Sequence, residues 1–123
     1  MGRSAEEQLE LAERHLARVQ LAWDHPTDWT ILTTFGFYCL EAAVMAAAKS
    51  LGLPETRSHR GKVDIAQTLH AEHSLPDLSS LLPLLNQARK SVTYGDMEIP
   101  KFDAADLATE IEQYVLHVRR LVL

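Results

Sequence analysis

The clearest chemical potential in this sequence lies in the stretch 89–96 (RKSVTYGD), near the end of a predicted helix. Arg89 carries a planar guanidinium, whose N–H donors match the oxygens of a phosphate group. Tyr94 shares the last helical turn with Arg89 but points about 140° away around the axis. A phenol has a pKa of about 10, so Tyr94 is a poor general base at neutral pH. The stretch indicates anion binding; alternatively, Arg89 is a surface residue and Tyr94 a half-buried aromatic beside a glycine.

A basic cluster surrounds a predicted helix start and contains Arg57, His59, Arg60 and Lys62. Positive charge at a helix N-terminus opposes the helix dipole, so this placement has a small cost. The cost indicates an anionic partner, with His59 and Arg60 assisting Arg89 in binding it. The alternative is that these are ordinary solvated residues of a loop and a first helical turn.

Glu41 is a carboxylate in the middle of an otherwise apolar stretch. An unpaired carboxylate is expensive to bury. We therefore expect Glu41 to face a cleft, where it is a candidate ligand-binding residue, or to pair with a cation such as Arg89. A purely structural acid–base pair is the alternative.

Metal and cofactor chemistry finds little support in the sequence. His70 and His73 are three residues apart with Asp77 nearby, but they lie at a helix end and lack the His-Glu-x-x-His arrangement of zinc enzymes. The single cysteine, Cys39, excludes an internal disulfide and a cysteine-rich zinc site. We predict neither a metal nor a cofactor.

Two helices with clear ends are predicted in the first half of the chain. Apolar residues at steps of three and four, including Leu16, indicate a helix over 4–23 that begins with a Ser4–Glu7 capping box. A second helix over 28–51 begins at Thr27 or Asp28 and ends at Gly52. It is apolar on nearly every face, so it is either central in its bundle or also packs against a partner chain.

Three further helices are predicted over 59–72, 77–94 and 104–122, beginning at Ser58, near Asp77 and at Asp103. Pro83 should either kink the fourth helix or mark its true first turn. No alternating pattern typical of strands is present. The sequence therefore predicts one all-α domain over 1–123, an up-and-down bundle of four to five helices.

The middle of the chain resembles the HEPN domain family, more specifically its short prokaryotic members. The matching stretches are 38–52 (YCLEAAVMAAAKSLG), the turn Ser58-His59-Arg60, and 85–96 (LNQARKSVTYGD), which ends in an Arg-x(4)-Tyr-Gly pattern. The resemblance implies a helical bundle that pairs as a homodimer. It also implies, in active members, metal-independent cleavage of RNA through an Arg-x(4–6)-His motif.

The histidine position of that motif holds Tyr94, and this leaves three hypotheses. The first, which we favour, is a HEPN-like dimeric binding protein with a cleft for RNA, a nucleotide or a partner around Arg89 and Tyr94. The second is a toxin-like ribonuclease, as in toxin–antitoxin pairs, with His59 or Tyr94 as the catalytic residue beside Arg89. The third is a helical partner of a separately encoded nucleotidyltransferase. Whether the chain is an enzyme stays open.

Overall composition narrows the classes of function. The net charge of −5 argues against a protein that coats nucleic acid non-specifically, although a local basic patch is compatible with it. The N-terminal MGRSAEEQLE has no apolar segment typical of a signal peptide. The apolar stretch 35–53 contains Glu41 and Lys49, which favours a buried helix over a membrane span. We predict a cytoplasmic protein without membrane contact.

Overall fold

The computed structural model describes residues 3–24, 26–93 and 103–123, without the side chains at 92 and 93. These residues form five helices and no strand: α1 (Ala5–Ala22), α2 (Trp29–Ser50), α3 (His59–His73), α4 (Leu81–Thr93) and α5 (Ala104–Val122). The predicted all-α bundle is confirmed. Tyr94, Gly95 and residues 96–102 lie outside the described residues.

Local capping groups set most of the helix starts. Ser4 and Glu7 form the predicted capping box, and Asp28, Ser58 and Asp103 each accept a hydrogen bond from the backbone N–H three residues on. These bonds satisfy N–H groups that have no partner within the helix. At the other end of α2, Gly52 has a φ of 70°, the left-handed conformation expected for a glycine after a helix.

The prediction for the fourth helix was wrong at its start. The helix begins at Leu81, not at residue 77, and Pro83 lies in its first turn, which confirms the second of the two expectations for this proline. Proline is tolerated there because its missing N–H would have had no helical partner. The side chain of Asp77 instead accepts a hydrogen bond from the backbone N–H of Ser79 at 2.8 Å, which stabilises a turn ahead of the helix.

Helix α2 is the centre of the bundle, since it packs against α1, α3, α4 and α5. Leu32, Leu40 and Val44 are fully buried in it, and Cys39 donates a hydrogen bond from Sγ to the carbonyl oxygen of Ala12 at 3.2 Å. Burial raises the pKa of Cys39 to about 12, so this thiol is unreactive near neutral pH. The central position explains why α2 is apolar on nearly every face.

By length and composition, α2 could also cross a membrane, but 67% of its most apolar 18-residue stretch is buried inside the bundle. That degree of burial is what the core helix of a soluble domain shows. The apolar residues of α2 are therefore accounted for by the neighbouring helices.

The remaining helices each bury one stripe against this core. In α5 the apolar residues at helical spacing, Leu107, Ile111, Val115 and Val118, are all buried, together with Tyr114. In α1, Leu9, Ala12 and Val19 are buried, whereas Leu16 is only partly buried against the core. The stripes predicted from helical spacing are thus largely confirmed, with Leu16 more peripheral than its central place in the sequence indicates.

Candidate functional site

One face of α2, between α1, α3 and α4, is only partly covered, and aromatic and cationic side chains gather along it, with Tyr38 exposed and Phe37 buried. We call these side chains the aromatic strip: His15, Arg18, Phe35, Phe37, Tyr38, His59 and Arg89. They come from four different helices. Only the folded bundle brings them together.

Arg89 lies at the centre of the strip. Its guanidinium carbon is 4.6 Å from the ring centroid of Phe37 and 5.6 Å from that of Tyr38, both within cation–π range. The Nε and Nη2 atoms of Arg89 donate hydrogen bonds to Oδ1 of Asn86, at 3.1 and 2.8 Å. Two rings and a forked hydrogen bond therefore hold this guanidinium in one place on the open face.

Tyr38 is the most exposed ring of the strip, with 39% of its surface accessible. Its centroid lies 5.8 Å from that of Phe37, 6.2 Å from that of Phe35 and 6.0 Å from that of His15. These are ordinary distances for packed aromatic pairs. Neighbouring rings thus support Tyr38 from below while part of it faces solvent.

The α1 end of the strip is positively charged. The guanidinium of Arg18 lies 4.6 Å from the ring centroid of Phe35, and His15 lies 5.4 Å from the same ring. Burial lowers the pKa of His15, and the charges of Arg18, Arg14 and Arg3 lower it further. Burial is the larger cause of this shift, and the three arginines add positive charge around His15.

Glu41 pairs with a cation, as the sequence predicts, but that cation is Lys62 and not Arg89. Its Oε2 lies 3.4 Å from Nδ1 of His59, and its Oε1 lies 3.3 Å from Nζ of Lys62. The carboxylate is only 14% exposed, and the ammonium of Lys62 and the imidazole of His59 offset the cost of taking it out of water. The sequence did not indicate Lys62 as the partner because Lys62 belongs to another helix. The loop before α3 brings it close to Glu41, and no spacing within one helix indicates that approach.

Of the other predicted site residues that the structure describes, one lies in the aromatic strip and the other does not. His59 contacts the Phe37 ring at 5.4 Å, so His59 and Arg89 meet on the same aromatic side chain. Arg60 is exposed on α3 and makes no hydrogen bond or ion pair with the described part of the chain. Tyr94 falls outside the described residues. The structure therefore unites Arg89, His59 and Glu41 and leaves Arg60 apart.

Several residues of the strip were missed by reasoning from the sequence, above all Tyr38, Phe37, His15 and Arg18. A signal was present in α2, since the charged residues Glu41 and Lys49 mark the face that cannot be buried. Counting back one turn from Glu41 places Tyr38 on that face. No comparable signal existed for His15 or Arg18, whose place depends on how α1 packs.

Metal ligands do not assemble among the described residues, where no group of three or more His, Cys, Asp or Glu side chains converges. Nδ1 of His70 lies 2.8 Å from the carbonyl oxygen of Leu75, and His73 is exposed. This hydrogen bond gives His70 a structural role at the end of α3.

The fold and the site together define a class of protein: a helical bundle with an open face on which aromatic rings and cations lie side by side. No family model, curated protein or solved structure matches the chain. The HEPN resemblance therefore rests on the sequence motifs alone.

Proposed function

We propose that this chain is a HEPN-like binding protein that holds a nucleotide, free or within single-stranded RNA, on the aromatic strip. The observation that carries the proposal is the fixed guanidinium of Arg89 beside the exposed ring of Tyr38. A nucleotide needs both groups, because its base stacks on an aromatic face and its phosphate binds a cation.

The charge distribution supports a local site rather than general affinity for nucleic acid. The chain as a whole carries −5, yet Arg18, Arg89 and Lys62 all border the strip. Two carboxylates lie near it: Glu41, which Lys62 and His59 already contact, and Asp28, which lines a cavity together with Arg18. Repulsion elsewhere on the surface would restrict an anionic ligand to this face.

Tyr38→Ala tests the stacking contribution. We expect it to weaken binding of a fluorescein-labelled oligouridine by about 1–3 kcal/mol, the range for one base stacked on an aromatic ring. Tyr38→Phe should retain most of the affinity, because stacking needs the ring and not the hydroxyl. Fluorescence anisotropy measures both. Leu116→Ala, at an exposed apolar position on α5, is the matched control. Equal affinity of Tyr38→Ala and wild type would show that no base stacks on Tyr38.

The metal-independent endoribonuclease is the second candidate, and one contact favours it. Glu41 lies beside Nδ1 of His59, so a carboxylate can orient this imidazole in the way that supports proton transfer. His59 would take the proton of an RNA 2′-hydroxyl as its oxygen attacks the adjacent phosphorus. The bond from phosphorus to the 5′ oxygen would then break, leaving a 2′,3′-cyclic phosphate, and the 5′ oxygen would take a proton from water as it leaves, while Arg89 stabilises the developing negative charge.

Cleavage of labelled RNA in the presence of EDTA distinguishes the enzyme from the binding protein. If His59 is the base, wild type cuts the RNA and both His59→Ala and Arg89→Ala are inactive, with a rate loss of about 100-fold or more. His73→Ala, at an exposed histidine on α3, should cleave like wild type. Intact RNA after incubation with wild type would leave binding as the function.

The partners and location are proposals that rest mainly on the family resemblance. We propose a homodimer, and association with a nucleotidyltransferase as the alternative role. The central position of α2 explains its apolar residues without a partner chain, so the homodimer stays a prediction from the resemblance. A cytoplasmic location is consistent with the single, buried and unpaired cysteine.

A further inference from the structure

A basic cavity adjoins the aromatic strip and has no role in the function proposed above. We call it the phosphate groove; it has a volume of ≈ 450 Å³, and its charged and polar lining includes Arg3, Lys49, Glu55, Thr56, Arg57 and Lys62. A smaller cavity of ≈ 210 Å³ shares Arg3 and Lys62 with it and is also lined by Tyr38 and His15. The groove therefore continues directly from the exposed ring of the strip.

Four cations lining one groove are unusual in a chain of net charge −5. Two carboxylates contact these cations. Glu41, which lines the smaller cavity, accepts a hydrogen bond from Nζ of Lys62, and Glu55 accepts one from Nζ of Lys49. That bond lowers the pKa of Glu55, and the charges of Lys49 and Arg57 lower it further. Glu55 thus occupies the groove as an anion, in a position where a phosphate would find the same cationic partners.

The loop that carries Glu55 and Arg57 is held close to α3. A Cβ on Gly61 would clash with Oγ1 of Thr56, so glycine at this position lets the Thr56 side chain pack against the first turn of α3. Thr56 and Ser58 are also joined by a hydrogen bond of 3.2 Å between their hydroxyls. The backbone that carries Arg57 therefore has a defined position relative to α3.

We propose that the phosphate groove binds the terminal polyphosphate of the nucleotide whose base stacks on Tyr38. This inference rests on the proposed function for the base and extends it to the ligand class, a nucleoside polyphosphate or an RNA end that carries one. The combined cavities lie within the size range of small-molecule sites. Lys49, Arg57, Lys62 and Arg3 supply charge-assisted hydrogen bonds to phosphate oxygens. The ligand displaces Glu55 from Lys49 as it enters.

Inorganic tripolyphosphate tests the groove without any base. In calorimetry at low salt we expect it to bind wild type, and Glu55→Gln to bind it roughly threefold or more tightly, the factor for one exposed charge pair. Arg57→Ala should weaken the binding of tripolyphosphate by a similar factor. Glu72→Gln and Arg120→Ala make the same charge changes at exposed positions on α3 and α5 and should bind like wild type. If tripolyphosphate does not bind to wild type, or if Glu55→Gln does not bind it more tightly, the groove is not a polyphosphate site.

Three nucleotide probes then identify the source of the phosphates. Oligouridine with a 5′-triphosphate should bind more tightly than the same RNA with a 5′-hydroxyl, and free UTP is the third probe. Tighter binding of UTP than of the triphosphorylated RNA identifies a free nucleotide, and the reverse identifies an RNA end. Equal affinity of the two RNAs overturns the inference and leaves the proposed function standing. Binding of tripolyphosphate without binding of any nucleotide instead overturns the proposed function and leaves the groove as a polyphosphate site.

Discussion

Arg89→Ala is expected to remove most of the affinity for single-stranded RNA. A charge-assisted hydrogen bond contributes about 1.5–3 kcal/mol, which corresponds to roughly a 10- to 150-fold loss of affinity. The same change also removes the cation that lies over Phe37 and Tyr38. Arg89→Lys should recover only part of the loss, because an ammonium is a point charge and cannot make the planar, two-pronged contact. Fluorescence anisotropy with a labelled oligouridine measures the series.

Arg120→Ala is the matched control for the loss of one positive charge. Arg120 is exposed near the end of α5 and lies outside the aromatic strip, so its removal should leave RNA affinity close to wild type. The dependence of affinity on salt adds a second measurement, since each lost phosphate contact should reduce the slope of log K against log salt by about 0.7. If Arg89→Ala binds RNA as tightly as wild type, the proposed site is in the wrong place.

Leu40→Ala is expected to have the largest effect on stability. Leu40 is fully buried in α2, the helix that packs against all the others. Truncation removes apolar contacts and leaves a cavity that the surrounding helices cannot fill, at a cost of about 2–5 kcal/mol. That is a large fraction of the roughly 5–15 kcal/mol by which a domain is stable. Urea unfolding followed by circular dichroism measures the change.

Leu16→Ala provides the comparison within the same core. The position of Leu16 in the α1 stripe predicts a cost of about 2–5 kcal/mol from the sequence, but the side chain is only partly buried. Because exposed surface contributes no transfer free energy, we now expect a cost of roughly 1–2 kcal/mol. A larger loss in Leu16→Ala than in Leu40→Ala would contradict the arrangement of the bundle, and a loss below about 0.5 kcal/mol would place Leu16 outside the core.

The helices could be predicted because their signals are local. Ser4, Ser58 and Asp103 cap their helices through bonds that span three residues, and Gly52 ends α2 through its own backbone conformation. The start of the fourth helix was wrong because Leu78 continues the apolar stripe of α4 while lying ahead of the helix. A buried residue is compatible with either a turn or a helix, and periodicity alone does not separate the two.

The candidate site could be predicted only in part. Residue type and motif selected Arg89, His59 and Glu41, and the structure brings them around Phe37 and Lys62. The pairing of Glu41 with Arg89 was wrong because a carboxylate on an open helix face has several cations within reach along the chain. Which one it meets depends on the path of the loop that enters α3. Arg60, one residue from His59, points elsewhere because neighbours in a helix face different directions.

The sequence by itself determined five capped helices and most of their apolar faces, since hydrogen bonds and helical periodicity act over a few residues. Only the tertiary structure decided that His15 and Arg18 of α1 lie beside Phe35 and Tyr38 of α2. Burying the apolar stripes orients the helices relative to one another, and that packing depends on side chains far apart in the chain. The aromatic strip and the phosphate groove exist because those orientations leave one face of α2 uncovered.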